Sequence, residues 1–323
     1  LFSVTKRAVL IAGPTASGKS GFAMALARQI DGVIVNADSM QVYDGLRILT
    51  ARPSAEDEDL LPHRLYGHVP PEMRYSVGRW LRDVSPVLDA IWQAGQQPII
   101  VGGTGLYFKA LTEGIAETPH ISEAEHAAFV AEHAEIDIED LQDQLAALDP
   151  VSANRIERND RQRTLRALMI LHRTGQTLSD WQNSARDNAI LPLEDTVHRV
   201  LMPADRNWLY ERIETRFLAM LNEGGEAEAL SLLERGLSGS LPVMSAISLP
   251  HYARFLKERD GFERADIVEK SVRDTRRYAK RQLTWFRNQM AGWLRLDPMA
   301  WVGNEAKMLK DLQLIAQELE KQA

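Results

Sequence analysis

Cysteine is absent from the 323-residue chain, which excludes disulfides, cysteine-ligated zinc, iron–sulfur clusters and thiol nucleophiles. Any chemistry must therefore rest on oxygen and nitrogen groups or on a bound cofactor. Long apolar runs are missing as well. No stretch approaches the roughly 20 residues a membrane helix needs, and Leu1 to Arg7 is too short and polar for a signal peptide, so a cytoplasmic protein with no membrane partner is expected. Positive charge is in short supply: 38 Lys and Arg against 45 Asp and Glu leave a formal net charge of −7. That balance counts against a nucleic-acid partner for the chain as a whole, but local basic patches decide such binding.

What is present is close to the globular average, with 45% hydrophobic and 26% charged residues, 20 Gly and 14 Pro. This rules out a collagen-like or largely disordered chain. The length allows one large domain or a core carrying a smaller one. Charge is unevenly spread. Glu123 to Asp143 holds eight acids and no Lys or Arg, whereas Lys270 to Arg287 holds seven basic residues against Asp274 alone.

Ala8 to Ala12, Val33 to Ala37, Pro98 to Val101 and His198 to Met202 are short apolar runs separated by amphipathic helical stretches, the pattern of a parallel sheet covered by helices. Between the last two, Ile121 to Asp195 reads as helices broken at Asp149-Pro150 and at the polar Ser184 to Asn188. The expected fold class is α/β: a P-loop NTPase-like parallel sheet flanked by helices, built from residues 1–115 and 196–323, with an inserted all-helical subdomain over 116–195. Further helices are expected over Asn207 to Leu221, Glu226 to Arg235, Ala265 to Asn288 and Glu305 to Glu320. In the last, Met308, Leu312, Ile315 and Leu319 form a core-facing stripe.

Gly13-Pro14-Thr15-Ala16-Ser17-Gly18-Lys19-Ser20 matches the phosphate-binding loop G-x-x-x-x-G-K-[ST], between an apolar strand and a helix over Phe22 to Ile30. In such a loop the backbone N–H groups face a phosphate, Lys19 adds positive charge, and Ser20 can bind Mg²⁺. The loop identifies a ligand group and not a reaction. A kinase or hydrolase is the default reading. Against it, Ile99-Ile100-Val101 runs into Gly102-Gly103-Thr104 where a Mg²⁺-holding Asp would stand, and no Asn-Lys-x-Asp guanine-reading motif occurs. The loop thus suits a diphosphate that leaves.

Asp38 and Thr104 follow two of the expected strands, at the sheet edge where open α/β folds bind ligands. Asp38 there could take a proton from a nucleophile, or form a turn with Ser39; Thr104 could reach the ligand or cap a helix. Arg206 and Arg212 flank a helix start just after another strand. They are either solvated or held near a diphosphate that needs more than one cation.

Taken together, these residues resemble the tRNA dimethylallyltransferase (tRNA isopentenyltransferase) family. The matching elements are GPTASGKS at Gly13 to Ser20, NADSMQVY at Asn36 to Tyr43, TARPS at Thr50 to Ser54, PHRLYG at Pro62 to Gly67 and VGGTGLYFKAL at Val101 to Leu111. RNDRQRTLRAL at Arg158 to Leu168, RNWLYERIETRF at Arg206 to Phe217 and RRYAKRQLTWFR at Arg276 to Arg287 follow in the same order. The resemblance implies a bacterial-type prenyltransferase that moves the dimethylallyl group of dimethylallyl diphosphate to N6 of the adenosine 3′ of the anticodon. It makes Asp38 (as base), Thr104 and Lys19 the catalytic set. Gly13, Pro14, Thr15, Ala16, Ser17, Gly18, Lys19, Ser20, Arg206 and Arg212 become the diphosphate site, with Mg²⁺ on Ser20. A tRNA anticodon stem-loop would meet Asp38, Ser39, Met40, Gln41, Thr104, Gln162, Arg163, Thr164, Leu165 and Arg166. Lys280 and Arg281, in the richest basic run, are assigned to RNA phosphates as well, although a charge run can equally be a solvated helix face. The working unit is expected to be a monomer.

The chain departs from the family pattern in two places. Ser245-Ala246-Ile247-Ser248-Leu249-Pro250-His251 stands where members commonly carry Gly-Tyr, and Met169 replaces an acid that often follows Arg-Ala-Leu. The Cys/His zinc finger of eukaryotic members is absent. Two other classes remain to be separated by experiment: a small-molecule or nucleoside kinase, and a nucleotide-dependent RNA-binding module.

Overall fold

The computed structural model describes residues 6–116, 121–183, 189–257 and 263–321. Leu1 to Thr5, and the Ser184 to Asn188 break, lie outside them. The chain divides into two units, one formed by Leu1–Thr112 with Leu191–Ala323 and the other by Glu113–Ile190.

The first unit is built on a six-stranded parallel sheet of order β3-β2-β4-β1-β5-β6. Its strands are β1 (Ala8–Ala12), β2 (Gly32–Asn36), β3 (His63–Arg64), β4 (Gln97–Gly102), β5 (Thr196–Leu201) and β6 (Leu294–Leu296). At the centre, Val9 of β1 lies opposite Ile99 of β4 and Val197 of β5. Both β1 and β2 are buried at every position, as a sheet covered on both faces requires.

Helices α1 (Lys19–Ala27), α2 (Ala55–Leu60), α3 (Val77–Gln93) and α4 (Gly105–Glu113) connect the first strands. One face of the sheet meets α1 and, at the far end of the chain, α14 (Glu305–Lys321): Phe22, Leu26, Leu312, Ile315 and Leu319 pack on Val9, Ile11, Ile34 and Ile99. The apolar stripe expected of the last helix is therefore interior, with Met308 packed at its margin. On α3, buried Trp80, Val84 and Leu88 recur at helical spacing and lie outside that cluster, so α3 covers the opposite face.

The helical unit contains α5 (Glu123–Glu132), α6 (Ile138–Leu148), α7 (Pro150–Arg155), α8 (Arg161–Thr174) and α9 (Leu178–Asn183), with no strand among its described residues. Phe129, Leu141, Leu145, Leu165, Leu168 and Met169 form its core. Returning to the first unit, α10 (Arg206–Asn222), α11 (Gly225–Glu234), α12 (Leu249–Lys257) and the long α13 (Arg264–Gln289) follow β5. In α13, Ile267, Ser271, Val272, Thr275, Ala279, Gln282, Leu283 and Phe286 make a continuous buried stripe.

Candidate active site

Because all the strands run parallel, the segments leaving β1, β2 and β4 emerge at one edge of the sheet, where a ligand crevice is expected. The segment after β1 is the phosphate loop. Gly18, at φ 89°, adopts a left-handed turn that glycine enters without strain, and α1 starts at the next residue. Inside the turn, Ser17 N–H donates to Pro14 O (3.2 Å) and Lys19 Nζ to the same carbonyl (3.3 Å). Lys19 is 9% exposed. Its pKa is lowered to about 8, chiefly by burial, with Asp38 opposing the shift and Arg216 adding to it.

Asp38 follows β2. Its main-chain N–H donates to Asn36 Oδ1 (2.9 Å), and its Oδ1 accepts from Met40 N–H (3.0 Å). The turn-forming role thus uses one carboxylate oxygen and leaves Oδ2 beside Gly103. Asn36 is itself fixed. Its Nδ2 donates to Asp38 O and Leu65 O, both at 3.0 Å, and its carbonyl accepts from Trp80 Nε1 (2.9 Å). Trp80 in turn stacks on Tyr107 at 4.6 Å.

Thr104 Oγ1 accepts from Ser39 N–H (2.9 Å) and sits 3.3 Å from Ser39 Oγ. Its side chain ties the β4 exit to the β2 exit. The two glycines before it are required by this close approach: a β-carbon at Gly102 would strike Ala37 O, and one at Gly103 would strike Gln282 Nε2.

Helices α10 and α13 close the loop from outside the sheet. Arg212 Nε donates to Ala16 O (2.9 Å) while its guanidinium lies 4.7 Å over Trp208. Arg216, one turn on, donates to Thr15 Oγ1. Burial lowers its pKa to about 10, with Arg212 adding to the shift and Asp38 opposing it. Gln282 bridges two exits, accepting from Thr15 N–H and donating to Gly103 O, each at 2.9 Å. Thr15, Lys19, Ser20, Asp38, Met40, Gln41, Arg216 and Tyr278 thereby face one cavity.

The structure brings together Thr15, Lys19, Ser20, Asp38, Met40, Gln41 and Arg212, with Ser39 and Thr104 behind them. Arg206 is different. It is exposed at the start of α10 and makes no hydrogen bond or ion pair among the described residues. Arg216 holds the position at the loop, and the signal for it was its spacing of four from Arg212, which puts both on one helix face. Gln282 was also missed, since a glutamine in a basic run carries no motif of its own.

Corrections arise in the helical unit. Thr164 and Leu165 are buried, the first accepting from Gln142 Nε2 (2.7 Å) and the second in the core cluster, so neither side chain is available to RNA. Arg161, at the start of the same helix, donates to the carbonyls of Ile136 (2.6 Å) and Ala134 (3.1 Å) and is a structural clamp. Gln162, Arg163 and Arg166 remain on the surface. Met169 is a core residue, which removes its departure from the chemistry.

On α13, Lys270 pairs with Asp266 (2.7 Å), Arg276 with Glu214 (2.6 Å), and Arg273 and Arg277 with Asp274 (3.5 and 3.3 Å). Lys280 and Arg281 are exposed and have no ion-pair partner among the described residues; Arg281 lies 5.7 Å over Tyr278. Among the described residues no helix is long and apolar enough to cross a membrane, and no cluster of three acidic or His side chains could hold a metal.

The site and sheet define a class that comparison with known proteins makes specific. The chain matches the IPP transferase family over residues 41–289 and the isopentenyl transferase family over 6–66, and it belongs to the IPP transferase family. It is 47% identical over 292 residues to a tRNA dimethylallyltransferase of Rhizobium etli, covering 90% of this chain and 97% of that one. A protein of the same name from a Methylobacterium species is 49% identical over 296 residues (91% and 95% covered). Among solved structures, a tRNA isopentenylpyrophosphate transferase of Bacillus halodurans superposes with a TM-score of 0.68 at 31% identity, covering 98% and 97% of the two chains. A eukaryotic dimethylallyltransferase acting on tRNA superposes with a TM-score of 0.77 at 25% identity (93% and 76%).

Proposed function

We propose that the protein is a tRNA dimethylallyltransferase: it transfers the dimethylallyl group of dimethylallyl diphosphate to the exocyclic N6 of the adenosine 3′ of the anticodon. The single observation carrying this reading is the shared cavity, which places a carboxylate, Asp38, beside a phosphate loop closed by Lys19 and Arg216. A kinase would want a carboxylate at the end of β4, where Gly102 and Gly103 pass too close to Ala37 and Gln282 to be replaced by one.

The reaction follows from the placement. The adenine amine nitrogen attacks the allylic carbon, the carbon–oxygen bond to diphosphate breaks, and diphosphate leaves with the electron pair. Asp38 Oδ2, free of the turn, accepts the amine proton. Negative charge growing on the leaving oxygen is met by the loop N–H groups, Lys19, Arg212 and Arg216. Holding amine and allylic carbon in line supplies a large share of the rate.

Ser20 is exposed at the first turn of α1 with no hydrogen-bond partner among the described residues, so its hydroxyl would be free to hold a Mg²⁺. Such an ion would neutralise diphosphate charge.

For the RNA, Asp38, Met40 and Gln41 line the cavity that the flipped base would enter, and Ser39 and Thr104 brace them from behind. Gln162, Arg163 and Arg166 on the helical unit, and Lys280 and Arg281 on α13, offer side chains to phosphates. A single chain supplies every group invoked, so we take the working unit as a monomer, acting in the cytoplasm where its RNA is found. Incubating the purified protein with anticodon stem-loop RNA and dimethylallyl diphosphate, then analysing nucleosides by mass, should yield prenylated adenosine. Phosphorylated product formed from ATP instead would establish the kinase.

A further inference from the structure

Away from the phosphate loop, the cavity wall is apolar: Leu49, Ile213, Phe217, Met220 and Ile247 line it. That surface suits a hydrocarbon tail. Ser248 lines the same cavity and is 2% exposed. Its backbone lies at φ 87°, a conformation that glycine enters freely and a residue with a β-carbon enters under strain. It stands in the segment that departs from the family's usual Gly-Tyr.

Three other hydroxyls that line this cavity already have partners. Thr50 Oγ1 donates to Leu46 O, Thr275 Oγ1 donates to Ser271 O (2.7 Å), and Thr15 Oγ1 accepts from Arg216. Ser248 uses its carbonyl to start α12, accepting from His251 N–H (2.9 Å) and Tyr252 N–H (3.0 Å), but its Oγ has no partner among the described residues. The Oγ is not sealed off from the cavity, and the backbone that carries it is strained. Both at one point on a ligand cavity mark a group that meets ligand.

We propose that Ser248 is a specificity-determining residue that admits a prenyl diphosphate donor whose tail carries a hydroxyl, alongside dimethylallyl diphosphate. This rests on the prenyl-transfer reading above. A wholly apolar pocket rejects an added hydroxyl by about 10²-fold, because the group loses its water and gains nothing. A free Oγ in the wall restores a partner and removes much of that rejection. The bonds made and broken are unchanged: the amine attacks the allylic carbon, diphosphate leaves with the electron pair, the proton passes to Asp38, and the tail hydroxyl is a spectator.

The test compares kcat/KM for dimethylallyl diphosphate and its 4-hydroxy analogue, with stem-loop RNA as acceptor, in wild type, Ser248→Ala and Ser248→Gly. The wild type should use the hydroxylated donor within about tenfold of the plain one, and the ratio of hydroxylated to plain should fall about tenfold or more in both variants. Ser248→Gly relieves the backbone and should melt no lower than wild type, which separates lost recognition from lost folding. Transfer of the plain donor alone by the wild type overturns the inference and leaves the prenyl-transfer reading standing. So does a ratio unchanged in the variants, and an equal loss for both donors would assign Ser248 to the acceptor base. Transfer of neither donor would instead remove the prenyl-transfer reading itself.

Discussion

Lys19 is held almost out of water, with its pKa lowered to about 8 chiefly by burial. A bound diphosphate supplies the missing opposite charge and raises that pKa, so the liganded form holds more protons above pH 8. Diphosphate affinity should therefore be full below pH 8 and fall as pH rises from about 8 towards 10.5, with proton uptake on binding. In the ligand-free fold the sign reverses, because the unfolded chain keeps its proton to higher pH; the Lys19 contribution to stability improves over the same interval. Calorimetry in buffers of different ionisation enthalpy at pH 8.5 to 9, roughly the middle of this window, reads the uptake directly. Binding without proton exchange would refute the buried-lysine picture. The two arginines give a second contrast. Arg216→Ala should weaken diphosphate binding by about tenfold or more, since it removes a charge-assisted bond in a sheltered site, while exposed Arg206→Ala should change it by less than about twofold. Equal effects would mean that Arg206 reaches the ligand in solution.

At the scale of elements, α13 is the brace of the site. Gln282 joins the β1 and β4 exits, so Gln282→Ala leaves Thr15 N–H and Gly103 O without their partner; about 1–3 kcal/mol of stability should be lost in denaturant titrations. A change below about 0.5 kcal/mol would show that the bridge is dispensable. In the helical unit, Thr164→Val removes the hydroxyl that Gln142 donates to, and should lower stability with RNA affinity retained. Loss of RNA affinity at full stability would restore Thr164 to the RNA surface.

Much of this was legible in the sequence. The four longer strands were read to within a residue or two because full burial makes them unbroken apolar runs. β3 spans two residues and β6 is Leu-Arg-Leu, too short to carry a period. The phosphate loop and the place of Asp38 at the sheet edge were legible because the loop's left-handed turn favours a glycine and Asp38 closely follows a strand. Thr164 and Leu165 were misjudged because a motif marks a whole helix turn while burial divides it by face. Ser248 and Gln282 acquire meaning only through partners far away in the chain.

For the molecule as a whole, a net charge of −7 must be reconciled with an RNA partner. The resolution lies in which cations are already neutralised: most of the basic residues on α13 are paired, whereas Lys280 and Arg281 have no ion-pair partner among the described residues. Removing a side chain that neutralises one phosphate should flatten the slope of log affinity against log salt by roughly 0.7 to 0.9. The double change Lys280→Ala with Arg281→Ala, and Arg163→Ala separately, should show this against Lys310→Ala on α14 as a reference. Slopes matching the reference in both would return these residues to a solvated face. The central claim, that carbon is transferred to an exocyclic amine with Asp38 as base, is tested most directly by single-turnover transfer of labelled dimethylallyl group. Two stem-loops would be compared, with adenosine or inosine 3′ of the anticodon, using wild type and Asp38→Ala. Label should enter the adenosine RNA alone, with Asp38→Ala slower by about 10² to 10⁴ and donor KM little changed. Label entering the inosine RNA equally, or Asp38→Ala turning over at the wild-type rate, would contradict it.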